Sequence, residues 1–278
     1  MKKSIIIALS ALFSMGMEAQ NENPQGLYRL QRFAYEGKPE KTADFEQYKY
    51  CGKNNNAFTL NVYRNDGISQ ISMQNNDSQP IVYTGKRDAT DTDHTPQVFD
   101  SNKEHFTFRW YNTLMNSDIF PINSYIEEIY DANIGIENDV KQVVGMLESK
   151  FDGMQGKLAG CWLMVGDVTM KDGVPNISTD RALYRTTSVY RLFNDDMMFE
   201  MMYVVGSKIG QSTGFLSSYT FDGKILTYRH VSKVEVQWVS DGVMIVKETG
   251  NSENPQMTMW IRSTLPNYMS SIFSPDVK

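Results

Sequence analysis

Lys233-Val234-Glu235-Val236-Gln237-Trp238 switches between polar and apolar at every step. A period of two puts all the apolar side chains on one face of an extended strand and the polar ones on the other. Ala57-Phe58-Thr59-Leu60-Asn61-Val62-Tyr63 and His105-Phe106-Thr107-Phe108-Arg109-Trp110 read the same way. Turn formers stand between such runs: Asn65-Asp66-Gly67, Asn75-Asn76-Asp77, Phe221-Asp222-Gly223-Lys224 and Ser240-Asp241-Gly242. Short alternating strands with close turns make an antiparallel meander, and a meander that closes on itself covers its apolar face and removes its edges. The fold class expected is all-β.

One segment departs from this period. Val140, Val143, Val144, Leu147 and Phe151 recur at helical spacing, Asn138 or Asp139 is placed to cap the start, and Gly153 to stop the end. The apolar stripe of this helix is expected to pack on the end of a barrel.

The stretches on either side of the helix correspond in order. Gly26-Leu27-Tyr28-Arg29-Leu30 matches Gly160-Cys161-Trp162-Leu163-Met164, and Tyr48-Lys49-Tyr50 matches Tyr190-Arg191-Leu192. Phe58-Thr59-Leu60-Asn61-Val62 matches Phe199-Glu200-Met201-Met202-Tyr203. Phe106-Thr107-Phe108-Arg109-Trp110 matches Val234-Glu235-Val236-Gln237-Trp238, and Ser124-Tyr125-Ile126-Glu127 matches Thr258-Met259-Trp260-Ile261. The expected organisation is a leader at 1–20, a barrel at 21–136, a connecting amphipathic helix at 137–156 and a second barrel at 157–278. Each unit has an ordinary domain size.

The leader is read from Met1-Lys2-Lys3, the uncharged apolar stretch Ser4 to Met17, and Glu18-Ala19-Gln20. This is the layout of a cleaved secretory signal, and its apolar part falls short of the roughly 20 residues that span a bilayer. Export to the periplasm or beyond is expected, with no transmembrane segment left after cleavage. The net charge is −6, and it becomes one unit more acidic once Lys2, Lys3 and Glu18 are gone. An acidic chain without a Lys/Arg-rich run argues against nucleic acid as a partner, because phosphate binding needs concentrated positive charge. Cys51 and Cys161 fall in different units, so they make neither a disulfide scaffold nor a cysteine-ligand metal site; whether they pair is left open.

Gly160-Cys161-Trp162 resembles the opening of a lipocalin, Gly-x-Trp on the first strand with the indole at the closed end of the barrel. In lipocalins an arginine of the last strand lies over that indole, and Arg262 in Trp260-Ile261-Arg262 stands at that place. The first unit departs from the pattern: Tyr28 replaces the tryptophan, and its last strand offers Glu127 and Glu128. The chain is similar over nearly all its length to the lipocalin-like domains of unknown function in exported Bacteroidetes proteins. That resemblance implies two tandem calycin-type barrels and a binding role.

Reactive constellations are sparse. His94, His105 and His230 have no zinc-pair spacing. Asp88, Asp91 and Asp93 near His94 offer oxygen ligands but lack the glycine and distal glutamate of a calcium loop. No Gly-x-Ser-x-Gly elbow or phosphate loop occurs. Glu127 and Glu128, adjacent on a strand, point to opposite faces, and Asp195 and Asp196 sit in a turn. No enzyme, metal or cofactor is expected. The expectation is a small apolar or amphipathic ligand inside the second barrel, lined by Met201, Tyr203, Phe215, Tyr219, Trp238 and Trp260. The alternative is a protein or surface-glycan interaction module with solid barrels, binding through the long polar segment 75–102.

Overall fold

The computed structural model describes residues 23–36, 38–53, 56–75, 81–90, 92–113, 120–149, 158–180, 186–204, 211–229, 232–249, 255–266 and 269. The leader, Asp91, His230, Phe151 and Gly153 lie outside them. Among the described residues no helix is long and apolar enough to cross a membrane.

The first half runs β1 (Gly26–Tyr35), β2 (Lys41–Thr42), β3 (Glu46–Cys51), β4 (Ala57–Asn65), β5 (Ile68–Asn75), β6 (Val82–Tyr83), β7 (Gln97–Phe99), β8 (His105–Asn112) and β9 (Ser124–Asp131). Helix α1 (Asn138–Glu148) follows. The second half runs β10 (Gly160–Lys171), β11 (Val174–Ser178), β12 (Thr187–Phe193), β13 (Met197–Val204), β14 (Gln211–Phe221), β15 (Ile225–Tyr228), β16 (Ser232–Ser240), β17 (Val243–Glu248) and β18 (Met257–Arg262). The all-β expectation holds, and the quoted alternating runs fall inside β4, β8 and β16.

In the second half, β10 pairs with β12, and antiparallel pairing continues strand by strand through β13, β14, β15, β16 and β17 to β18, which returns to β10. This is a closed eight-stranded antiparallel barrel. Strand β11 lies outside it, as a hairpin arm on β10. In the first half the order is β5-β4-β3-β1-β9-β8-β7-β6, with β2 also on β1 and a parallel pairing only between β6 and β7. That sheet curls around Tyr28, Leu30, Cys51, Val98, Phe106 and Tyr130.

The halves share their pairing geometry. Tyr28 stands opposite Lys49 across β1–β3, as Trp162 stands opposite Arg191 across β10–β12. The β1–β9 ladder shifts register between Leu30 and Arg32, and the β10–β18 ladder shifts between Met164 and Gly166.

The halves are joined edge to edge. The last part of β14, Tyr219 to Phe221, pairs with β15, whereas Gln211 to Leu216 pairs on that same side with β5 of the first half. β14 therefore forks away from β15 over its first six residues while it stays paired with β13.

Helix α1 does not sit on a barrel end as expected. Val140, Val143, Val144, Met146 and Leu147 pack in one cluster with Tyr48, Leu60 and Ile71 of the first half and Leu192, Phe199 and Leu216 of the second. The helix is wedged between the outer faces of the two sheets, because the apolar residues that flank the fork need cover on both halves. The residue before its first turn is Glu137, which makes no side-chain cap bond. Asp139 lies inside the first turn, where it accepts from Arg64 at 2.8 Å and from its own following backbone N–H, that of Val140, at 2.8 Å.

Candidate functional site

The inside of the second barrel is built from alternate residues of its strands. Trp162, Val189, Phe193, Met198, Leu226, Val234, Val236, Met244, Val246 and Trp260 form one cluster, joined by Met164, Tyr219, Tyr228 and Trp238. One end is sealed. Trp162 is fully buried and its indole N–H donates to the Leu158 carbonyl at 2.8 Å. The Arg262 guanidinium lies 4.6 Å from the Trp162 ring centre and donates to the Ala159 carbonyl at 3.1 Å. A side chain on Gly160 (φ +137°) would meet that guanidinium at 2.7 Å, so the Gly-x-Trp spacing is fixed by the arginine passing over it.

Further along the barrel the inward face turns polar. Arg191 on β12 is buried, its Nε donates to Glu200 Oε2 at 2.8 Å, and its Nη2 donates to the Tyr228 hydroxyl at 3.2 Å. Its guanidinium carbon sits 4.3 Å from the Trp260 ring centre and 5.1 Å from that of Tyr228. Glu200 on β13 takes a second cation through Oε1, from Arg229 Nη2 at 3.1 Å. Arg229 follows β15 directly and covers the Phe215 ring at 4.3 Å, across the place where β14 parts from β15. Burial opposes the charge of Arg191, but Glu200 and Tyr228 outweigh it, so the guanidinium is held more firmly protonated than usual. Exposure of these side chains rises from 9% at Arg191 through 17% at Glu200 to 28% at Arg229, which sets the direction in which the cluster opens.

Among the described residues, three buried polar atoms here have no hydrogen-bond partner: Arg191 Nη1, Arg229 Nε and Ser217 Oγ. Ser217 stands opposite Met198 and shares the inward face of β14 with Phe215 and Tyr219.

The structure brings four of the six residues expected to line this interior to it. Trp238, Tyr219 and Trp260 belong to the inner cluster, and Phe215 meets Arg229 at its opening. Met201 and Tyr203 do not join them. Both pack with helix α1 and the first half on the outer face of β13. Alternation assigns Met201 and Tyr203 to one face together, but it does not say which face is inside. Met202 shares the face of Met198 and Glu200. Arg191, Glu200 and Arg229 were missed as site residues, although Glu200 on a strand between apolar neighbours was the available signal.

The first half has its own inward cation. Lys49 Nζ donates to Thr59 Oγ1 at 3.0 Å and lies 3.7 Å from the Phe108 ring centre. Burial pulls its pKa down and Glu128 opposes that pull. Glu128 accepts from Gln47 at 3.1 Å and from the Tyr130 hydroxyl at 2.8 Å.

Glu127 faces the other way, as its neighbour's burial requires. It contacts Arg87 at 2.9 Å and Arg109 at 3.7 Å on the outside of β9. The segment after β6 folds over this surface: Arg109 donates to the Asp88 carbonyl at 2.6 Å, and His94 stacks on Tyr111 with its Nδ1 3.0 Å from the Tyr125 hydroxyl. A cleft of about 190 Å³ results, lined by Ala34, Tyr35, Glu36, Lys38, Arg87, Tyr125 and Glu127. His94 is thereby held in a ring stack. Asp88 accepts from Thr90. Among the described residues no three His, Cys, Asp or Glu side chains gather in metal-binding geometry.

No family model and no curated protein matches the chain. Similar solved structures include a protein of the DUF3598 family from Nostoc punctiforme PCC 73102, at 10% identity with 86% of this chain and 96% of that chain covered and a TM-score of 0.21. Another is described as a "putative outer membrane protein" from Bacteroides fragilis NCTC 9343, at 9% identity with 86% and 97% covered and a TM-score of 0.17.

Proposed function

We propose that the protein is an exported, non-enzymatic binding protein, a tandem pair of lipocalin-like barrels whose second member holds a small amphipathic ligand. The observation that carries the reading is the two-zone interior of the second barrel. A sealed apolar end around Trp162 gives way to an opening lined by Arg191, Glu200, Arg229, Phe215 and Tyr228, with buried donors unmet. In an interior that serves only as a core nearly all buried polar groups are hydrogen-bonded, and here three unmet atoms gather on one inward face. The matching registers and paired register shifts of β1–β9 and β10–β18 support the tandem organisation. The Arg262–Trp162 contact supports a lipocalin-like second unit. Export rests on the leader sequence at residues 1–20.

Titration of delipidated protein with a fluorescent fatty-acid probe, followed by quenching of Trp238 and Trp260, tests the reading. Saturation at one site is expected; quenching that never saturates, or none, sinks it.

A second reading is favoured by the outer cleft at Tyr35, Arg87 and Tyr125. Part of the 75–102 segment forms one of its walls, as a loop-borne interaction site requires. Binding to a surface glycan or protein partner there is expected to survive a block of the barrel and to be lost in Tyr125→Ala.

A further inference from the structure

We propose that the ligand enters the second barrel head first and that its head group is a carboxylate, held by Arg191 and Arg229. This rests on the binding reading above and adds the chemistry of the head.

The first support is charge. Two guanidiniums, Arg191 and Arg229, share the single carboxylate of Glu200, and the third polar contact, Tyr228, is a neutral hydroxyl. Among the described residues the cluster therefore carries one uncompensated positive charge in a place largely removed from water. A monoanion cancels it, whereas a dianionic phosphate monoester would invert it.

The second support is unmet hydrogen bonding. Arg191 Nη1 and Arg229 Nε are buried donors with no acceptor, on two different guanidiniums, and Ser217 Oγ is a third unpartnered group on the same inward side. A carboxylate supplies acceptors only, and its planar pair of oxygens suits a guanidinium fork. Arg191 is already held in place between Trp260 and Tyr228, so little order is lost when an anion arrives.

The third support is the contrast with the other half. Lys49 occupies the position in its sheet that Arg191 occupies in the second. There one cation faces one carboxylate, Glu128, and the ammonium is met by Thr59 and the Phe108 ring. The same place in the fold is balanced in one half and left with surplus charge in the other.

The direction of entry follows from packing. Trp162, opposite Arg191, and Phe193 and Met198, one step beyond the cluster, are fully buried, so no tail passes on that side. On the other side of it stand Val189 and its cross-strand partner Met202, which is exposed, while Phe215 lies level with Glu200. An acyl tail runs up this side while the carboxylate rests on the arginines.

Competition against the fluorescent probe with decanoate, decanol and decyl phosphate separates the possibilities. Decanoate is expected to bind at least about tenfold more tightly than decanol. Arg229→Met, at a partly exposed position, is expected to weaken decanoate more than decanol and so erase that preference. Glu200→Gln, which removes the competing carboxylate, is expected to tighten decanoate. Equal affinity for acid and alcohol, or tighter binding of decyl phosphate, overturns the head-group assignment and leaves barrel binding standing. Failure of all three compounds and of the probe overturns both.

Discussion

Cys51 and Cys161 are both free and buried, one inside the first half and the other in the cluster around helix α1. Burial pushes each thiol from its ordinary value of 9.0 up to about 12, with Lys49 slightly opposing the rise at Cys51. The sign of the effect on stability is fixed by this. Between about pH 9 and 12 the unfolded chain ionises these thiols while the folded one keeps its protons, so folding loses free energy as pH rises. Each fully buried thiol costs about 1.4 kcal/mol per pH unit in that window. Urea midpoints measured at about pH 8 and about pH 10.5 are expected to fall at the higher pH. A level midpoint would show the thiols to be accessible. In the folded protein at neutral pH neither cysteine is expected to react with iodoacetamide, and both react after unfolding. At this scale the legible residues were those a resemblance could place: Gly160, Trp162 and Arg262 stand as the likeness to a lipocalin opening implied. Met201 and Tyr203 were not legible as outward residues, because the polar residue of β13, Glu200, lies on the inward face, so alternation alone assigns the apolar set to the wrong side.

Helix α1 touches both halves at once, so its apolar stripe carries more than its own stability. Leu147 is 1% exposed within the shared cluster. Leu147→Ala is expected to destabilise the protein by about 2–5 kcal/mol through the lost contacts and the cavity left behind. Chemical denaturation checks this, and a change under about 1 kcal/mol would show that the helix is dispensable to the packing. The start of the helix offers a change in the opposite direction. Glu137 caps nothing, and Glu137→Ser supplies a hydroxyl for the open N–H groups of the first turn, with an expected gain of about 0.5–1 kcal/mol. Thermal unfolding reads it, and a lowered midpoint would show that the weak contact of Glu137 with Arg29 at 4.0 Å matters more than the cap. Long alternating strands and this helix were readable from local pattern. The short strands β2, β6 and β7 were not, since two or three residues carry no period and exist as strands only through their partners. The site of the helix was missed for a related reason: a periodic stripe shows that a face is covered but not by what.

For the whole molecule the decisive feature is the ladder between β5 and β14, six residue pairs from Gln211–Gln74 to Leu216–Ser69. Together with the cluster around α1 it makes the halves one body in the described structure, although the sequence repeat alone suggests two independent units. The protein is therefore expected to unfold in a single calorimetric transition. Residues 21–136 and 157–278 produced separately are expected to aggregate or stay molten, because each would expose half of the shared cluster. Two resolved transitions, or a well-folded isolated half, would contradict that expectation. No local signal announces this ladder, because β5 and β14 lie far apart along the chain and pairing between distant strands depends on shape reached only after folding.

The fork in β14 also imposes an order of events on a newly made chain. Strand β5 is complete long before residue 211 exists, and until then its outer row of N–H and C=O groups has nothing to bond. The first half must wait with a bare edge, and assembly finishes only when the late-arriving strand docks. That wait makes maturation slow and self-association its main hazard, so yield on refolding should drop as protein concentration rises well before any loss of the folded state itself.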